Sequence, residues 1–169
     1  MGSHPHSSNR AGWAVAAAAL LLAVVLIALA AVAVAAERPE YVTRLESICK
    51  PGVKATQRAV HGVRSDIRAE RLQVAAGKLA RARRIFDGTV GRISRVPRPA
   101  PDAKQLAKWF HYLALQESYL ARSAAALHAE RIVAYQHNSV RFVHTGNLAN
   151  DVVISFGFNY CRFKFSRFG

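Results

Sequence analysis

The chain has 169 residues, 51% of them hydrophobic, a formal net charge of +14 and two cysteines. Residues 37–169 are enough for one domain with an ordinary core and exclude a second. Two cysteines far apart in sequence also exclude the close C-x-x-C spacing that a redox-active or metal-binding pair needs.

Residues 1–10 form a short flank, and Ala11 to Ala36 then run for 26 residues without a charge. As a helix this run would span roughly 39 Å, more than a bilayer's hydrocarbon core requires. It reads either as a retained transmembrane anchor or as a signal peptide. The core from Trp13 to Val32 is long for a signal, while Ala33-Val34-Ala35 is an acceptable small-x-small site, with cleavage after Ala35 or Ala36. Either way the expectation is a protein directed to the cell membrane or beyond it, with the rest of the chain outside the cytoplasm. The flanking charges mark orientation weakly, since Arg10 stands before the run and Arg38 and Arg44 after it. Arg10 is the sole Lys or Arg before Glu37, so nearly the whole basic surplus belongs to residues 37–169. Such a surplus favours polyanions as partners: anionic lipid head groups, acidic wall polymers or nucleic acid.

Cys49 and Cys161 lie near the two ends of that domain, and an even pair in an oxidising compartment predicts a disulfide. Between them apolar residues recur at helical spacing. The first helix, about 40–68, carries Tyr41, Leu45, Ile48, Ala59, Val60, Val63 and Ile67, with a kink or restart expected just after Cys49 because Pro51-Gly52 follows. The second, about 71–95, carries Leu72, Ala76, Leu79, Phe86, Val90 and Ile93, with Arg83 at one expected apolar position. Val96-Pro97-Arg98-Pro99-Ala100-Pro101 cannot continue a helix and reads as a linker. Asp102 with Gln105 three residues later reads as a capping box opening the third helix, about 103–127, whose stripe is Leu106, Trp109, Phe110, Leu113, Leu120 and Leu127. The fourth, about 130–154, carries Ile132, Tyr135, Ser139, Phe142, Gly146, Ala149 and Val153. Both interhelical turns contain Ala-Glu-Arg, at Ala69 to Arg71 and Ala129 to Arg131. Four single-sided stripes over 37–154 predict an all-α fold, an antiparallel four-helix bundle. The tail, 155–169, interleaves Phe156, Phe158, Tyr160, Phe163, Phe165 and Phe168 with Arg162, Lys164 and Arg167. It reads as rings packed on the bundle with Cys161 pinning it to Cys49, or alternatively as a single-strand nucleic-acid binder.

No glycine-rich phosphate loop, nucleophile elbow or dinucleotide fingerprint is present, so neither catalytic residues nor a cofactor is expected. His111, His128, His137 and His144 read as surface residues, the last two standing roughly 10 Å apart on a helix. The densest charge lies on the second helix, where Lys78, Arg81, Arg84, Arg92 and Arg95 are candidates for holding phosphate or carboxylate groups. DNA fits that charge equally well, and the export signal demotes it. Glu117, Asn147 and Asn150 are candidates for an internal polar cluster.

Tyr41-Val42 with Ile48-Cys49-Lys50, Arg95-Val96-Pro97-Arg98-Pro99, Asn147-Leu148-Ala149-Asn150, and the ending Phe156-Gly157-Phe158 with Cys161 and Ser166-Arg167-Phe168 carry a resemblance over most of residues 40–169. The chain resembles uncharacterised exported or membrane-anchored helical proteins of high-GC actinobacterial type. The resemblance implies a disulfide-closed helical bundle and transfers no catalytic residues. The function expected is a non-enzymatic membrane-associated envelope protein engaging an anionic lipid or wall polymer through the second helix. A small enzyme or ligand carrier using the internal polar cluster, and a bundle that binds only a protein partner, are the competing readings.

Overall fold

The computed structural model describes residues 38–163. The flank 1–10, the apolar run 11–36 and the residues after Phe163, with the expectations attached to them, lie outside the described residues. Those described belong to one compact unit that begins at Arg38. It has its own core and its own cross-link, which makes it a folding unit in itself. Among the described residues no helix is long and apolar enough to cross a membrane.

Every regular element described is helical. Helix α1 covers 38–60, α2 Val63–Arg68, α3 Leu72–Ile93, α4 Ala103–His128 and α5 Ile132–Val152, with single 3-10 turns at Ala100–Asp102 and Ile154–Phe156. The predicted stripes face the core: Tyr41, Leu45 and Val63 from the first arm, Ala76, Leu79, Phe86 and Ile93 from α3, Leu106, Trp109, Leu113, Leu120 and Leu127 from α4, Ala149 from α5 and Val153 just beyond it. The result is a helical bundle of four arms, the first arm being α1 and α2 together.

The break in the first arm is not where the proline places it. Helix α1 runs through Pro51-Gly52 and stops at His61-Gly62. Pro51 is exposed, as is Ser47 one turn earlier, so the carbonyl that loses its partner faces water. Gly62 adopts a left-handed φ of 76°, which ordinary residues resist, and re-aims the chain so that Val63 and Asp66 point inward. Gly52 answers to packing instead. A Cβ built there would lie 2.3 Å from Thr89 Oγ1 and 2.9 Å from its Cγ2, so α1 and α3 meet there at a distance only glycine allows.

The two Ala-Glu-Arg turns share one geometry. Glu70 and Glu130 both have φ 57°. Arg71 N–H donates to Asp66 O at 2.8 Å and Glu70 N–H to Ile67 O at 3.0 Å; Arg131 N–H donates to Ala126 O at 2.8 Å and Glu130 N–H to Leu127 O at 3.0 Å. These are Schellman closures, with glutamate where glycine is usual.

The capping box does not form. Asp102 occupies the N-cap of α4 without a side-chain cap bond. Its carboxylate instead accepts from two guanidinium nitrogens of Arg38, Nη2 and Nε, the latter at 2.8 Å, because a paired charge-assisted bond outcompetes a bond to a neutral amide. Gln105 donates to the carbonyl of Val152 and so terminates α5 rather than starting α4. The tail packs on the bundle as far as it is described. Cys49 and Cys161 are bonded with Cα atoms 5.2 Å apart. Phe156, Phe158 and Phe163 are buried, Phe158 stacking on Trp109 at 5.6 Å and Phe163 edge-on to Phe86 at 5.2 Å.

Gly52→Ala is expected to destabilise the domain by about 1–3 kcal/mol through overpacking against Thr89. Gly52→Ala/Thr89→Ala should recover most of that loss in a denaturant titration. Equal stability of Gly52→Ala and the parent would show that the α1–α3 approach is looser than described.

Candidate anion-binding face

The twist of α3, about 100° per residue, sorts its charges into distinct positions. Ala75, Leu79, Ala82, Phe86 and Ile93 mark the buried side. Arg81, Arg84 and Arg92 fall within about 80° of arc on the opposite side, and Arg95 follows in the turn just past the helix end, the set spanning about 21 Å. All four are exposed. Among the described residues none of the four forms an ion pair, and Arg92 Nε donates at 3.3 Å to Gly88 O of its own helix. Asp87, the one acid on α3, sits about 100° away from the centre of this strip.

Lys78, expected within the same set, is committed elsewhere. Its ammonium donates to Asp66 Oδ2 at 2.6 Å and to the His61 carbonyl at 2.9 Å, closing the α1 break. Arg83 pairs with Glu117 at 3.1 Å, and Arg98 lies 4.5 Å above the Phe110 ring. The guanidinium of each is therefore held by another side chain, as, among the described residues, those of the four strip arginines are not.

Glu117, Asn147 and Asn150 are not brought into one cluster. Glu117 faces Arg83, Asn147 is exposed, and Asn150 donates to the Phe163 carbonyl at 2.8 Å. The physical reason is the charge surplus: a half-buried carboxylate beside α3 meets an arginine before it meets an amide. His111, His128, His137 and His144 are all exposed, and His128 Nδ1 lies 2.6 Å from Gln73 Oε1. Among the described residues no three His, Cys, Asp or Glu side chains gather as a metal site would require.

Two carboxylates do structural work that their spacing concealed. Asp66, 5% exposed, takes Lys78 on one oxygen and Arg71 on the other at 2.6 Å. Hydrogen bonds from Lys78 and then Arg71 hold its carboxyl below the usual carboxylate range, against the opposing effect of burial. Glu46 accepts the backbone N–H groups of Asn159, Tyr160 and Cys161 at 3.0–3.1 Å. The signal for this was a carboxylate one helical turn before a bridged cysteine. Tyr41 Oη is buried without a hydrogen-bond partner among the described residues, and burial pushes its pKa up to about 12, with Arg98 opposing and Asp102 reinforcing.

No protein-family model, curated protein or solved structure matches the chain.

A depressed folded-state pKa means that Asp66 contributes stability above the ordinary carboxylate pKa of about 4, and that this is lost as pH falls through the folded value. Asp66→Asn should lower the unfolding temperature at neutral pH and flatten its decline on acidification. An unchanged acid limb in thermal melts would contradict the assigned pairing.

Proposed function

We propose that this is a non-enzymatic envelope protein, held at a membrane by the apolar run 11–36. Its bundle, the four arms alternating in direction, stands outside the cytoplasm and binds a phosphate-bearing surface through Arg81, Arg84, Arg92 and Arg95. One observation carries the reading: three arginines of α3 opposite the core, with Arg95 just past its end, are exposed and pair with no acid among the described residues. Arginine forks suit phosphate oxygens through paired hydrogen bonds, and a strip of about 21 Å meets several phosphates of a lipid surface or of a wall polymer. Lys78 leaves the set originally expected, because its charge is matched by Asp66.

The test is co-sedimentation of oxidised residues 37–169 with anionic and with zwitterionic vesicles, at low and at physiological salt, beside pull-down on a phosphate-containing polymer resin. Binding should require anionic phosphate and weaken steeply with salt. At about 1 kcal/mol per basic residue near the surface, Arg81→Glu/Arg84→Glu/Arg95→Glu should cost at least about 100-fold in affinity. Preference for vesicles over resin assigns the lipid source, and the reverse assigns the polymer. Failure to bind either, or binding that survives the triple reversal, overturns the reading.

A further inference from the structure

A cavity of about 170 Å³ lies among α1, α2, α3, α4 and α5, lined mainly by apolar side chains that include Leu79, Phe86, Leu120 and Phe142. The first half of α5 leaves it accessible. From Ile132 to His144 that helix buries no residue, and Val143, which lines the cavity, is exposed. An apolar cavity of about 150 Å³ is known to stay dry and accept a benzene-sized guest, so this one, which is open on the α5 side, has room for a single ring or several carbons of an alkyl chain.

Its polar lining selects the guest's end group. Ser123 is 2% exposed, lines the cavity and makes no side-chain hydrogen bond among the described residues. A buried hydroxyl without a partner is a group awaiting one. Arg64 also lines the cavity, is exposed, and among the described residues pairs with no acid. An unmatched guanidinium beside an apolar cleft, on a chain of formal charge +14, favours an anion over a cation.

We propose that this cleft binds a medium-chain alkyl carboxylate, the chain among Leu79, Ala82, Phe86 and Leu120 and the carboxylate at Arg64 and the Ser123 hydroxyl. An apolar cavity between helices with a few polar side chains in its wall, here Thr56, Arg64, Ser123, Tyr135 and Ser139, is the usual form of a small-molecule site. The site uses the inner side of α3, so it stands apart from the arginine strip and does not rest on that strip's role.

Calorimetric titration of residues 37–169 with octanoate, octanol and octylammonium tests it, with methyl chemical shifts locating the site. Octanoate should saturate and move the methyls of Leu79, Leu120 and Val143, and octylammonium should bind at least tenfold more weakly. Arg64→Gln should weaken octanoate at least fivefold while leaving octanol unchanged. Ser123→Leu, which fills the cavity, should abolish binding without lowering the unfolding temperature, and neither variant should alter vesicle binding. Equal affinity for octanoate and octylammonium, or no effect of Arg64→Gln, overturns the proposal. Binding that appears only after deletion of residues 164–169 also overturns it, because the cleft would then belong to the chain's own end.

Discussion

The bundle depends on one closure, the bond between Cys49 on α1 and Cys161 beyond α5, which joins residues 112 apart. In the chain-entropy account a loop of that size is worth roughly 4–5 kcal/mol to the folded state. The bond does not act alone. Glu46, one turn before Cys49, receives three consecutive backbone N–H groups of the tail, including that of Cys161. A carboxylate accepting several amides fixes the backbone it holds as firmly as a turn of secondary structure would. With the tail so fixed, Phe156, Phe158 and Phe163 become core residues against α3 and α4. Arg38 completes the closure, bonded to Asp102 and lying 5.0 Å over the Phe156 ring.

The consequence is a bundle whose two ends differ. Cys49, Trp109 and Phe158 are buried, Cys49 bonded to Cys161 and Trp109 stacked on Phe158. Toward Gly62 and Ile132 the first arm breaks, α5 buries no residue before Thr145, and the apolar cleft opens. Helix α3 spans both regions. Its inner side supplies Leu79 and Phe86 to the cleft, and its outer side carries arginines whose positions are set by a helix held along its length. A strip of guanidinium groups with a fixed spacing meets a patterned anion better than the same charges on a mobile loop, because less order has to be created on binding.

Much of this was legible in the sequence, for identifiable reasons. Helical periodicity is a property of short windows, so the four stripes and the proline linker emerge from residues close in sequence. The cysteine pair followed from compartment and parity. Interactions between distant residues left no such trace. Nothing local to Asp102 says that Arg38, 64 positions earlier, will outcompete its role as a cap. Nothing local to Lys78 says that Asp66 will neutralise it. Pro51 misled because its cost depends on whether the freed carbonyl faces water, which the exposure of its turn decides. The cleft was faintly marked by Ser139 in the α5 stripe and by the long gap between Leu120 and Leu127 in α4. Gln116, fully buried with both ends of its amide unpartnered among the described residues, is the polar interruption of that same α4 stripe. Such a group costs about 1–3 kcal/mol, a local conflict that the closure at the other end helps to offset.

Amide hydrogen exchange of residues 37–169, oxidised and reduced, tests the closure most directly. In the oxidised protein the amides of Asn159, Tyr160 and Cys161 should be protected to within about tenfold of those at Leu113 and Leu120. Reduction should raise exchange at 159–161 and along α1 by at least about 100-fold, the equivalent of roughly 3 kcal/mol of lost constraint. Unprotected amides at Tyr160 and Cys161 in the oxidised protein, or protection unchanged by reduction, would contradict the account.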